Sequence, residues 1–224
     1  MPWDPVWEEI YRSRPWGQYP GEDVVRFVAA NFYSAPRRAE VRLLEVGSGA
    51  GANLWFMARE GFCVHGVEGS GTAVKLSRER LDRECPDWRR CGGDVVAGAL
   101  APLPYPDGYF DGALDVVAAC YSSFDDARRI YAELARVVRP GGRLFVRTFA
   151  HGCWGDGSGA RVDEDMWNCS EGHLAGCGAT RFTRPAAVAD LLAGWSVDRV
   201  EQASITEDGG KHAIKHLLIY ASRR

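Results

Sequence analysis

The stretch Leu43-Leu44-Glu45-Val46-Gly47-Ser48-Gly49-Ala50-Gly51 constrains this chain more than any other. An apolar run closes on an acid and gives way to three glycines at alternate positions. This is how a buried strand reads when it turns sharply into a helix, because glycine allows close backbone approaches that a side chain would block. Gly47-x-Gly49-x-x-Ala52 also satisfies the dinucleotide fingerprint G-x-G-x-x-G/A. The loop alone therefore fits more than one nucleotide-bearing cofactor.

From Val41 onward, strand and helix signals alternate. Arg42–Val46 reads as a strand, and Ala52–Glu60 as a helix closed by Gly61. Phe62–Val67 is the next strand, and Ser70 can cap a helix running to about Glu84, before Pro86. A short strand is expected near Arg89–Cys91 and a longer one over Ala113–Ala118. Ser123 caps a helix with Ile130, Leu134 and Val137 on one face, stopped by Pro140-Gly141-Gly142. Arg143–Phe149 is a strand, and Thr183 is expected to cap a helix ending at Gly194. Ser196–Ala203 and Ala213–Ala221, joined by Glu207-Asp208-Gly209-Gly210, read as an antiparallel hairpin. The expected fold is α/β: a Rossmann-like, doubly wound, seven-stranded sheet, mostly parallel, with a C-terminal antiparallel hairpin.

The length of 224 residues suits a single domain over 1–224, with two elaborations. Residues 1–33 form a helical N-terminal flap: Val6, Trp7, Ile10 and Tyr11, then Val24, Phe27, Val28 and Phe32, keep helical spacing. Residues 151–182 are long and irregular, with seven glycines between 152 and 178, and read as a substrate lid. A net charge of -3, from 27 basic and 30 acidic residues, gives no footprint for nucleic acid. No apolar run approaches the roughly 18 residues of a membrane helix. Seven scattered cysteines with no C-x-x-C fit a cytoplasmic protein with reduced thiols.

Five motifs then fall in order. They are Glu45-x-Gly47-x-Gly49-x-Gly51, Glu68 at the end of the second strand, Gly93-Asp94-Val95, Leu103–Asp111, and Arg139-Pro140-Gly141-Gly142-Arg143-Leu144. Together they resemble a class I S-adenosylmethionine-dependent methyltransferase, clearly over about residues 41 to 149 and more loosely over the terminal hairpin. The resemblance implies S-adenosylmethionine as cofactor, cradled by Glu45, Gly47, Gly49, Gly51, Glu68, Gly69, Asp94, Val95 and Leu114. Glu68 lies 21 residues after Gly47, a distance at which the second strand delivers a carboxylate to ribose hydroxyls. Two alternatives stay open: an NAD(P)-dependent oxidoreductase, and a relative that binds the cofactor without catalysis.

Methyl transfer from a sulfonium needs alignment of three centres and, for some acceptors, removal of a proton. His151, Asp115 and Tyr121 are the candidate catalytic residues, since they follow the strand ends where open α/β sheets bind ligands. Tyr11, Trp16, Tyr19, Trp154 and His173 are the candidate substrate contacts, a roof drawn from the flap and the lid. His151, Cys153, Cys169, His173 and Cys177 are too irregularly spaced for a zinc site, so no metal is expected. The partner expected is a small-molecule acceptor, oxygen or nitrogen, for a monomer or homodimer.

Overall fold

Strand β1 (Arg42–Val46) buries four consecutive residues. Continuous burial marks a strand covered on both faces, as parallel sheets require. A computed structural model, which describes residues 4–224, supplies both covers. The first three residues of the expected flap lie outside the described ones. Two helices precede the sheet, α1 (Val6–Ser13) and α2 (Glu22–Phe32). After β1 come α3 (Ala52–Arg59), β2 (Cys63–Glu68), α4 (Gly71–Glu84), β3 (Asp94–Ala97), β4 (Phe110–Val116), α5 (Phe124–Val137) and β5 (Val138–Phe149). Three short strands follow, β6 (Ala160–Asp163), β7 (Met166–Asn168) and β8 (Ala179–Arg181). Helix α6 (Val188–Leu191) leads to β9 (Trp195–Glu207) and β10 (His212–Arg223).

The main sheet has seven strands in the order β3-β2-β1-β4-β5-β10-β9. β1 to β5 pair in parallel, and β10 runs antiparallel to both β5 and β9. The expected doubly wound fold with a terminal antiparallel pair is the observed one. Side chains alternate across the sheet: Leu43, Leu114 and Phe145 pack towards α2, α3 and α4, while Leu44, Ala113 and Leu144 pack towards α5 and α6. The strand order reverses between β1 and β4, and a crevice opens at the carboxyl ends of those strands.

Both serine caps form as expected. Ser70 Oγ accepts from Ala73 N at 3.1 Å, and Ser123 Oγ accepts from Asp126 N at 3.2 Å. Other expectations need correction. No strand forms near 89–91: Trp88 buries its ring and donates Nε1 to Asp82 at 2.7 Å, holding 86–92 in turns, so β3 starts at Asp94. β4 starts at Phe110, which is fully buried, and ends at Val116. β5 passes through Pro140-Gly141-Gly142, which the pairing with β4 absorbs as a register shift. Thr183 caps no helix; its hydroxyl accepts from Arg181 Nη1 at 2.9 Å, and only a short turn (Pro185–Ala187) and α6 follow. Residues 151–182 hold a small antiparallel sheet, β6-β7-β8, and β9 and β10 extend beyond their expected limits.

Candidate active site

Three glycines with left-handed angles carry the chain out of β1: Gly47 (φ 62°), Gly49 (φ 51°) and Gly51 (φ 82°). A Cβ at Gly47 would also run into Ala118 after β4. Gly47 N donates to Val67 O at 2.7 Å and locks the loop against β2.

Two acids flank this loop. Glu68, at the end of β2, accepts from Gly49 N and from Ser70 N, both at 2.8 Å. Burial pushes its carboxyl up from the ordinary value, while these amide bonds pull it back. Glu45 is buried within β1, with Oε1 taking the Asn53 amide at 2.5 Å. Its Oε2 is buried without a partner. Burial, with Glu68 and Asp115 nearby, pushes Glu45 up to about 8. A buried carboxyl with an orphaned oxygen is a ready partner for a hydrogen-bond donor on a ligand.

Helix α1 lies across the loop. Glu8 accepts from Ser70 Oγ at 2.6 Å, from Thr72 N at 3.2 Å and from Thr72 Oγ1, at the N-terminus of α4. These hydrogen bonds hold its carboxyl at about 2. One turn later Tyr11 sets its hydroxyl against Gly49. Burial, with Glu68 and Glu45 close by, pushes the Tyr11 phenol well above its ordinary range.

The loop, Glu45, Glu68 and α1 open into one cavity of about 1030 Å³. Trp7, Tyr11, Trp16, Tyr19, Gly47, Gly49, Gly69, Tyr121 and His173 also line it. The Trp7 ring stands 4.6 Å from Tyr121 and 5.8 Å from Trp16, both edge-on. Tyr19 is exposed at the rim, with its ring edge-on to Trp55 at 5.5 Å.

Several expected site residues lie elsewhere. Asp94 and Val95 occupy the amino end of β3, with Asp94 paired to Arg78 at 3.3 Å and Val95 in the core. A parallel strand presents its ligand face at the other end, so Gly98–Ala101 form the cavity wall there. Gly51 packs against Ser77 as the N-cap of α3, beside the cavity. Leu114 is fully buried in the core. Asp115 is also buried: it accepts from Ala118 N, Ala119 N and, at 2.6 Å, Tyr131 Oη. It braces the turn that carries Tyr121 and does not reach the cavity. His151 is half-exposed outside the cavity, 3.6 Å from Asp156, and Trp154 stacks flat on His212 at 3.9 Å.

The sequence reading missed Trp7, Val117, Arg147 and Phe149 as cavity residues. Phe149 and Val117 are visible in retrospect as neighbours of strand ends. Arg147 gives no sequence signal, since it sits inside a strand. Val117 holds φ 59°, a costly angle for a β-branched residue, and donates N to Arg147 O at 2.8 Å. Arg181, buried on β8, donates to Ser122 O and Ala119 O, both at 3.3 Å, and so ties the small sheet to the Tyr121 turn. Among the described residues, no three His, Cys, Asp or Glu side chains gather as a metal site, and no helix is long and apolar enough to cross a membrane.

Residues 44–146 match the family model described as a methyltransferase domain. Demethylmenaquinone methyltransferase of Tropheryma whipplei (strain Twist) is 36% identical over 110 residues, covering 49% of this chain and 42% of that protein. The chain spans about half the length of the curated relatives it matches. A structure concerned with conversion of a disulfide bond into a thioacetal group during echinomycin biosynthesis superposes with a TM-score of 0.70 at 18% identity. It covers 97% of this chain and 91% of that one. The 1,6-didemethyltoxoflavin-N1-methyltransferase of Burkholderia thailandensis, with its substrate and S-adenosylhomocysteine bound, gives a TM-score of 0.64 at 19% identity. That match covers 90% of this chain and 78% of the other. Residues 44–146 are thus similar to the methyltransferase-domain family, and the chain has the fold of the S-adenosylhomocysteine-bound Burkholderia enzyme.

The residues present fit that cofactor. Glu68 offers a carboxylate at the cavity wall, Glu45 an orphaned oxygen, and the glycine loop a backbone cradle. The cofactor supplies an electrophilic methyl on a sulfur leaving group. The cavity walls would align it and exclude water.

Proposed function

We propose that this protein transfers a methyl group from S-adenosylmethionine to the oxygen or nitrogen of a small, largely apolar organic acceptor. The observation that carries this reading is the single cavity running from Glu68 and the glycine loop to the rings of Trp7, Trp16, Tyr121 and Phe149. Its volume of about 1030 Å³ reaches the top of the range for small-molecule sites, room for a cofactor and a modest acceptor together. The acceptor half is walled by the flap and by the 151–182 lobe.

Glu45, Gly47, Gly49, Glu68 and Gly69 hold the cofactor under this proposal, with Gly98–Ala101 along its base and Tyr11 closing over it. Trp7, Trp16, Tyr19 and Tyr121 bound the acceptor, while Asp115 positions the Tyr121 turn. The whole chain acts as one domain in the cytoplasm. Names of relatives support a small acceptor, among them a norajmaline N-methyltransferase of Rauvolfia serpentina.

The test is incubation with methyl-labelled S-adenosylmethionine and three fractions of the source cells: small molecules, RNA and protein. Label is expected in the small-molecule fraction. Label confined to RNA or protein would overturn the acceptor class, and cofactor binding with no transfer to any fraction would favour a non-catalytic relative.

A further inference from the structure

The chain has five histidines, and among the described residues only His173 lies on the cavity wall. His65 and His216 are buried in the sheet, His212 is stacked under Trp154, and His151 faces Asp156 outside. His173 belongs to the tight turn Gly172–Leu174 between β7 and β8. That turn is pinned from its backbone: the Cys177 thiol donates to His173 O at 3.6 Å, and Leu174 is buried beside it. The ring leans on Phe149 at 5.7 Å. Among the described residues, neither ring nitrogen is held by a protein hydrogen bond.

We infer that His173 is the general base for an acceptor that carries a weakly acidic hydroxyl on an apolar, ring-bearing body. The inference rests on the methyltransferase reading and adds the acceptor's reactive group and the residue that handles its proton. The geometry supplies the argument. Phe149 ends β5 and Tyr121 follows β4, so both flank the point where the strand ends direct an acceptor towards the cofactor. His173 stands against Phe149 with free nitrogens, and Trp7 meets Tyr121 from above. Burial lowers the His173 pKa, and Glu207 at the end of β9 opposes that shift. His216 on β10 also packs against Phe149, at 5.0 Å between ring centroids, and is itself lowered to about 4 by burial, by Arg147 and by His173. The other charged groups on the cavity wall are Arg147 on β5, Asp163 on β6, Asp4 and Arg14 of the flap, and Asp126 and Arg129 of α5, besides Glu45 and Glu68.

The reaction balances simply. The acceptor O–H gives its proton to a His173 ring nitrogen. The oxygen lone pair bonds to the methyl carbon, and the carbon–sulfur bond breaks with its electrons left on sulfur. The proton then passes from His173 to bulk water. A neutral amine needs no such base before transfer, because its lone pair is already free.

The test uses the whole protein with S-adenosylhomocysteine bound and 2-naphthol as the probe, compared with 2-methoxynaphthalene and 2-naphthylamine. NMR should show the His173 ring resonances shifting with 2-naphthol and not with the methoxy compound. With labelled cofactor, His173→Gln should slow transfer to 2-naphthol by about 10²–10⁴-fold, the scale of a lost general base. Transfer to 2-naphthylamine and affinity for S-adenosylhomocysteine should stay within about twofold. The wild-type rate with 2-naphthol should rise with pH through an ionisation below the ordinary histidine value of about 6.5 and level off by neutrality. His173→Gln should lose that limb. An unmoved ring, equal losses with hydroxyl and amine, or label on the amine alone would overturn the inference. Failure of S-adenosylhomocysteine to bind at all would instead break the methyltransferase reading on which it rests.

Discussion

The two halves of the cavity are built from different material. In the half proposed for the cofactor, backbone amides and two carboxylates converge from the ends of β1 and β2, all within residues 45–70. In the half proposed for the acceptor, Trp7, Tyr121, Phe149 and His173 arrive from four distant segments and meet only when the fold closes. The first half is fixed by strand register and turn angle. The second is fixed by packing between a helix, a strand end and a small sheet. A site of the first kind conserves what it binds when its surroundings change, while one of the second kind can be re-cut for a new acceptor by changing a lobe.

Substitutions can break that contrast, beginning with the largest expected effect. Glu68→Ala should weaken S-adenosylhomocysteine binding by about 1–3 kcal/mol, the scale of lost bonds to a charged group. It also strips Gly49 N and Ser70 N of their acceptor. Unchanged affinity by calorimetry would show that this carboxylate is not a cofactor ligand. Trp7→Ala should leave cofactor affinity nearly constant and raise the KM for the acceptor, with about 0.5–1.5 kcal/mol coming from the lost ring contacts alone. A cofactor loss equal to the acceptor loss would erase the division between the halves.

The smallest effect is one of pH. Glu45 sits above its ordinary carboxyl value, at about 8, so its contribution to stability is full below about 4.5 and is lost as pH rises through 8. His65, lowered to about 4 by burial, works in the opposite sense: its contribution is full above about 6.5 and is lost as pH falls through 4. The Tm of the unliganded Glu45→Gln variant should therefore gain on wild type steadily between pH 5 and pH 8, windows set by these shifts. Parallel Tm curves would show that Glu45 ionises freely.

The same division governs what could be read from the sequence. Ser70 and Ser123 were legible as caps because capping is settled within four residues. The glycine loop and Glu68 were legible because short apolar stretches, Leu43-Leu44 and Cys63-Val64, stand near the start of β1 and β2, and glycines follow where each strand ends. Asp94 was misplaced by the same rule applied without tertiary contacts: burial of Trp88 delays β3, so residues 98–101 reach the cavity in its stead. The small sheet of 160–181 was hidden because three-residue strands carry no periodicity. It exists because the lobe docks on β10, with Trp154 N bonded to Ala213 O at 2.8 Å and Ala150 N to Lys215 O at 3.0 Å. His151 read as the catalytic candidate because it follows β5 directly, yet it turns out to Asp156, while His173, expected as a substrate contact, reaches the cavity wall from the closed turn at Gly172–Leu174.

Calorimetric titration of the wild-type protein with S-adenosylhomocysteine, and in parallel with NADH, tests the central claim most directly. The cavity described here should bind one S-adenosylhomocysteine per chain, with no heat from NADH. Binding of NADH without S-adenosylhomocysteine would contradict it.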